Sequence, residues 1–216
     1  MRGAPRESAT LFNMIDGIFA VAITLSPTAL SDGVHRHGSL DHIFSFTAVL
    51  LFIALTMMLL WLKLRTIVQM RDRLNTTEVI GVAMILMVAV LIPQSGYLAI
   101  KTGHLEGNIW YWSNSQWANI EYQGLLLLVE SALLLLSWRM MSSPQAKSYP
   151  RSIRRWILSV ETLGIISLLI LVIIDNLVVG INGIYAYAIP LILLVEEGLC
   201  LIRMKIFERT KTNKAI

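Results

Sequence analysis

Charged residues are scarce in this sequence. Aspartate, glutamate, lysine and arginine make up 15% of its 216 residues, whereas 56% are hydrophobic and the mean hydropathy is +0.66. An ordinary soluble domain carries about a quarter charged residues. The shortage of charge therefore excludes that class and predicts an integral membrane protein.

The sequence also has a single cysteine and lacks the common catalytic motifs. Cys200 is the single cysteine, which excludes an intrachain disulfide. The sequence contains no His-Glu-x-x-His, no Gly-x-Ser-x-Gly and no glycine-rich phosphate loop. We therefore predict that the protein is not an enzyme and that it binds no cofactor.

Long apolar runs dominate what is present. Six of them reach the roughly 20 residues that a helix needs to cross a hydrocarbon core. They are continuously apolar rather than alternating, which favours helices over a β-barrel. We predict one all-α transmembrane domain over residues 1–216, with spans at about 10–30, 41–63, 78–100, 117–139, 155–179 and 184–204.

The basic residues indicate how these spans are oriented. The pI is about 9.4, but the 18 lysines and arginines lie in short flanks between apolar runs and form no nucleic-acid-binding patch. All except Arg36 and Lys101 fall on the side of the two termini, Lys63 at the end of the second span included. The positive-inside rule then predicts both termini in the cytoplasm of a multi-pass protein of the inner (plasma) membrane, with basic flanks against anionic membrane lipids.

The opposite side holds the four histidines, His35, His37, His42 and His104. Their spacing suits a metal site or a proton sensor, because histidine changes charge near neutral pH. No cysteine accompanies them, and the loop that carries the first three is short and polar. We interpret them as solvated loop residues and predict no metal site.

Three carboxylates in the apolar runs stand apart from basic neighbours. Asp16 interrupts the first span, and a charge there is costly in hydrocarbon. Glu130 lies near the middle of the fourth span, so it must face protein or water or stay protonated, and it is our candidate for a buried acidic network. Asp175 lies near the end of the fifth span, where we expect it to cap the helix or to reach water.

The remaining carboxylates in the spans have basic neighbours along the chain. Glu161 follows Arg154 by two turns, so a helix N-terminal carboxylate explains it. Glu196 and Glu197 precede Arg203 by one to two turns, and we expect them to form salt bridges or to snorkel. All three are interpreted as structural.

The first span carries the sequence Asp16-Gly17-Ile18-Phe19-Ala20-Val21-Ala22-Ile23-Thr24-Leu25. This run resembles the first helix of the prokaryotic homologues of the lysosomal potassium channel, the transmembrane protein 175 family. Trp61 late in the second span, Asn75 before the third and Pro93 within it are also similar to that family. The family's Arg-x-x-x-Phe-Ser-Asp signature is degraded, since Thr10, Met14 and Ile15 stand at its arginine, phenylalanine and serine positions. Arg6, one turn earlier, is a candidate replacement for the arginine.

The resemblance implies a homotetramer whose first helices line a central pore for monovalent cations such as K⁺. It places Val21, Thr24, Leu25 and Thr28 on the pore wall, with an apolar gate at Val21 or Leu25 that closes by dewetting. Asp16, with Arg6 or another cation, would fix the cytoplasmic end of the helix. The four wall positions share one helical face, although this periodicity alone does not select them over other stripes.

Three functions stay open on the sequence. The first is a potassium-permeable, weakly selective cation channel. The second is a non-conducting membrane subunit or anchor on the same scaffold, which the degraded signature favours. The third is a small proton-coupled transporter that uses Asp16 and Glu130.

Overall fold

The computed structural model describes residues 5–28, 40–69, 74–105, 116–142, 150–177 and 182–213. This part of the chain is helical apart from short helix flanks. Its helices are α1 (Pro5–Thr28), α2 (Leu40–Gln69), α3 (Thr76–Ala89), α4 (Leu91–Leu105), α5 (Gln116–Ser142), α6 (Arg151–Leu177) and α7 (Asn182–Asn213).

The prediction of an all-α membrane protein is confirmed in its coarse form. Helix lies at each of the six predicted spans, and four helical stretches are long and apolar enough to cross a membrane, namely 50–69, 76–99, 119–142 and 151–175. In α1 the apolar stretch Leu11–Ala22 is shorter. The count of six spans and the side on which the termini lie stay predictions.

The third predicted span is two helices in near succession. α3 ends at Ala89 and α4 begins at Leu91, while Val90 between them keeps right-handed helical dihedrals. Pro93 has no N–H to donate to the carbonyl of Ala89, four residues earlier, which accounts for the break. Asn75 is the N-cap residue of α3, and its backbone N–H donates to Glu78 Oε2 at 2.8 Å.

α2 is the central helix of the bundle. It packs most extensively on α7 and α1 and also contacts α4 and α5. Its buried face includes Met57, Leu60, Leu64 and Ile67, each almost fully enclosed. Because lipid tails are as apolar as these side chains, close van der Waals packing rather than transfer from water must hold such a core together in a bilayer.

Large apolar side chains also cover the outside of the bundle. Exposed examples occur on every helix from α2 to α7, among them Leu51, Met84, Leu98, Leu135, Leu169 and Ile202. A soluble monomer rarely exposes so continuous an apolar surface. This surface fits contact with lipid.

Several sequence predictions fall outside what the structure describes. The side chains of His35, His37, His42 and His104 lie there, as do those of Arg6, Leu25 and Thr28. For Arg6, Leu25 and Thr28 the structure describes the helical backbone of α1 alone.

Candidate functional site

Five charged side chains occupy positions on the inward faces of four helices, where apolar residues would otherwise lie. On α2, Lys63 shares the buried face with Leu60, Leu64 and Ile67 and is 2% exposed. On α7, Glu196 and Glu197 follow Leu193 on the same face. Glu130 of α5 and Glu161 of α6 are likewise buried among apolar neighbours. Helical geometry thus aims all five side chains at the interior.

The Lys63 ammonium group joins three helices. Its Nζ donates to Glu130 Oε2 on α5 and to Glu196 Oε1 on α7, the latter at 2.6 Å. The three side chains are no more than 3% exposed. Glu130 lies fourteen residues into α5 and twelve from its end, which is about 20 Å from either end at 1.5 Å per residue. These ion pairs therefore lie deep in the bundle.

Two further carboxyl groups complete the ion cluster, which we define as Lys63, Glu130, Glu161, Glu196 and Glu197. Ser137 of α5 donates to Glu161 Oε1 at 3.1 Å. Glu161 and Glu197 lie within electrostatic range of Lys63, and the thiol of Cys200 lies near the carboxyl groups. The cluster thus brings together α2, α5, α6 and α7.

The ion cluster leaves carboxyl oxygens without partners. One oxygen each of Glu130, Glu161, Glu196 and Glu197 is buried and has no hydrogen-bond partner within the described residues. With one ammonium against four carboxyl groups, a fully ionised cluster would carry three uncompensated negative charges. A buried charge without a partner costs several kcal/mol. Full ionisation therefore does not fit this environment.

The arrangement does not suit a metal ion. Within the described ranges, no three His, Cys, Asp or Glu side chains are placed to hold one. The Lys63 ammonium already lies between two of the carboxyl groups, where it would repel a second cation. The chemistry open to this cluster is the binding and release of protons.

The ion cluster corrects several sequence-based expectations. Lys63 is not a solvent-exposed flank residue, because its side chain is enclosed by other helices. Glu196 pairs with Lys63 rather than with Arg203, and Glu161 accepts a hydrogen bond from Ser137. Glu130, the candidate for a buried acidic network, is paired with Lys63, which also binds Glu196.

A second buried polar contact joins α5 to α6. Gln123 Nε2 donates to Asp175 Oδ2, and Asp175 is 7% exposed. The expectation that Asp175 reaches water was wrong in this respect, because α5 covers it. The pair ties the two helices together about two turns of α5 before Glu130.

Asp16 is held by α2. Trp61 Nε1 donates to Asp16 Oδ1 at 2.8 Å, and Arg65 Nη1 lies 3.9 Å from the same oxygen. The Arg65 guanidinium also lies over the Trp61 ring, 5.1 Å from its centroid. Arg65 is thus a cation beside Asp16, whereas the side chain of Arg6 is outside the described residues.

The predicted pore residues that the structure describes lie on the outward side of α1. Leu11, Ile15, Phe19 and Ala22 form its buried face, and the opposite face is exposed in the single chain. Val21 is 54% exposed. The Thr24 hydroxyl is exposed and donates to the carbonyl of Ala20 at 2.9 Å.

The fold and the ion cluster define a helical bundle of membrane-protein character with a charged centre. No protein-family model matches this chain, and no curated protein or solved structure matches it significantly. The likeness of the first span to the transmembrane protein 175 family therefore stays a prediction from the sequence.

A glycine beside Glu196 allows a direct test of the ion cluster. A Cβ at Gly164 would lie 2.6 Å from Cδ of Glu196, so the carboxyl group would have to shift from its place in the ion cluster. We expect Gly164→Ala to lower the free energy of unfolding by about 1–3 kcal/mol, as overpacking of a filled core does. Thermal and denaturant unfolding in detergent would measure the loss.

Gly198→Ala is the matched control for this test. Nothing lies within 4 Å of a Cβ at Gly198, on the helix that carries Glu196. Alanine there is expected to be neutral or slightly stabilising, since it favours helix over glycine. Equal stability of the two variants would contradict the position of Glu196 against Gly164.

Proposed function

We propose that the protein is a potassium-permeable cation channel, formed as a homotetramer whose α1 helices line a pore for monovalent cations. The observation that carries the proposal is the outward face of α1. Asn13, Gly17, Ala20 and Thr24 form a small and polar stripe that the single chain leaves exposed. Two large apolar side chains, Met14 and Val21, are also exposed on α1, whereas α3, α5, α6 and α7 each expose at least four.

This difference between the two surfaces supports the view that α1 and the other helices have different neighbours in the membrane. Polar residues within a membrane almost always face protein or a water-filled cavity. Small residues allow helices to approach closely, which is typical of helix contacts in membranes. The α1 stripe is therefore suited to a contact or a pore between copies, whereas the bulky apolar faces are suited to lipid.

The hydroxyl geometry at Thr24 suits a cation. Its Oγ1 lies 2.9 Å from the carbonyl oxygen of Ala20 and 3.0 Å from that of Val21, so its proton is used within α1. The oxygen lone pairs are left for a partner outside the helix. A ring of such hydroxyls replaces part of the hydration shell of K⁺, while apolar Val21 and Leu25 close the path to water until the helices move.

The proposed channel has six spans in the inner membrane, with both termini in the cytoplasm. Lys63 is buried and is therefore left out when the basic residues of the loops are compared. All other basic residues except Arg36 and Lys101 are assigned to the side of the termini. That bias still supports the orientation. In it, the contacts of Asp16 with Trp61 and Arg65 fix α1 against α2 near the cytoplasmic end of the stripe.

The ion cluster favours a second candidate, a proton-coupled transporter. Ionisable residues deep in a membrane bundle often serve as proton relays. In that case solute uptake would depend on a proton gradient and would be lost in Glu130→Gln. A channel would pass cations in Glu130→Gln without such a gradient, provided that the variant folds.

Ion flux through purified protein in liposomes tests the channel. We expect potassium flux from the wild type and several-fold faster flux from Val21→Ser, because a hydroxyl in place of two methyl groups wets an apolar constriction. Val195→Ser is the control, since Val195 is also exposed but lies on α7. Absence of flux from the wild type, Val21→Ser and Leu25→Ala would overturn the channel.

Disulfide formation tests the position of α1 between copies. Because Cys200 is the only cysteine, a Cys200→Ser chain offers a cysteine-free background. We expect Val21→Cys in that background to form covalent dimers on oxidation in membranes, and Ile170→Cys on the exposed face of α6 to stay monomeric on denaturing gels. Cross-linking at position 170 but not at 21 would contradict the proposed axis. Cross-linking at 21 without any flux would support the non-conducting scaffold.

A further inference from the structure

We propose that the ion cluster is a proton-binding site whose carboxyl groups together hold three protons at neutral pH. One ammonium, one carboxylate and three protonated carboxyl groups make the cluster electrically neutral. This inference is independent of whether the protein conducts or transports ions, because it rests on the charge and burial of the cluster alone.

The ion cluster has more acidic groups than basic ones. Lys63 on α2 faces Glu130 on α5, Glu161 on α6, and Glu196, Glu197 and Cys200 on α7, with Ser137 of α5 beside Glu161. Lys63 is the only basic group among the described residues that is paired with the cluster's carboxyl groups. Compensation of four carboxylates therefore needs either three protons or metal cations from solution.

The buried carboxyl oxygens of the ion cluster are an unfavourable place for negative charge. Each of the four carboxyl groups keeps one buried oxygen without a hydrogen-bond partner in the described ranges, and each residue is at least 95% enclosed. A carboxylate loses far more hydration free energy in such a place than a neutral carboxyl group does. Protonation removes the charge and turns one oxygen of each group into a donor, while Glu161 Oε1 still accepts from the Ser137 hydroxyl.

The geometry favours protons over metal ions. The described side chains offer no metal-binding set of three ligands, and Lys63 lies between Glu130 and Glu196, where it would repel a metal ion. A proton needs no coordination shell. Each one is taken from water by a carboxylate as the chain folds, and it returns to water as H⁺ when the chain unfolds.

Proton release on unfolding measures the bound protons directly. In the unfolded chain, carboxyl groups in contact with water are ionised at neutral pH. The folded chain then binds more protons than the unfolded chain, so unfolding must release them. Purified protein in neutral detergent, unfolded in weakly buffered solution with a pH indicator dye, would give the number of protons per molecule.

Substitutions in the ion cluster isolate its contribution to the number of protons released on unfolding. Glu161→Gln and Glu197→Gln each leave three carboxyl groups with Lys63, so each is expected to release one proton fewer than the wild type. Glu121→Gln, at an exposed position of α5, is expected to release as many protons as the wild type. Lys63→Met leaves four carboxyl groups without the ammonium, and one additional proton is expected if the variant folds.

Infrared spectroscopy of the folded protein gives a second readout. The carbonyl stretch of a protonated carboxyl group is separate from that of a carboxylate, and we expect it at neutral pH in the wild type and in Glu121→Gln. It should weaken in Glu161→Gln and Glu197→Gln. The absence of this band in the wild type, or equal proton release from all the variants, would overturn the proposal. A band that appears only after removal of K⁺ and Na⁺ would also overturn it, because metal cations would then compensate the cluster.

Discussion

The Lys63 ammonium constrains the rest of this bundle. A single charge in the apolar interior costs several kcal/mol unless partners surround it. Those partners come from three different helices, since Glu130 lies on α5, Glu161 on α6, and Glu196 on α7. The four helices can pack only in a register that brings these side chains together. Apolar faces, in contrast, tolerate sliding and rotation, because one leucine replaces another at little cost.

The same short stretch of α2 serves both the ion cluster and α1. Lys63 lies two residues from Trp61 and two from Arg65, so it faces roughly the opposite side of the helix from both. Trp61 and Arg65 are one turn apart and together hold Asp16 of α1. A single turn of α2 therefore joins the proton-binding cluster to the helix that we propose for the pore.

Much of the fold could be predicted from the sequence. Apolar runs of sufficient length placed helix at all six predicted spans, and Pro93 explains where the third one is interrupted. The ends were less predictable, since α2 continues past Lys63 to Gln69 and α7 continues to Asn213. Charged residues mark the end of an apolar run in the sequence, but a helix continues as long as its backbone hydrogen bonds do.

The ion cluster was predictable in part. The position of Glu130 far from both ends of its span indicates a buried group, whereas the position of Lys63 at the end of an apolar run indicates a flank residue. A signal was available: Leu60, Leu64 and Ile67 repeat around Lys63 with helical spacing, which places the lysine on an apolar face. Glu196 has the same kind of neighbour in Leu193. The pairing of these side chains cannot be predicted from the sequence, because tertiary packing decides which faces of the four helices meet.

The most direct test of this account is a double-mutant cycle between Lys63→Met and Glu130→Gln, measured by the free energy of unfolding in detergent at neutral pH. The buried pair predicts that the two changes are not additive, with a coupling of about 1–3 kcal/mol. Lys205→Met, at an exposed position of α7, should show no coupling to Glu130→Gln. Additive effects of Lys63→Met and Glu130→Gln would contradict a Lys63 ammonium held between carboxyl groups in the centre of the bundle.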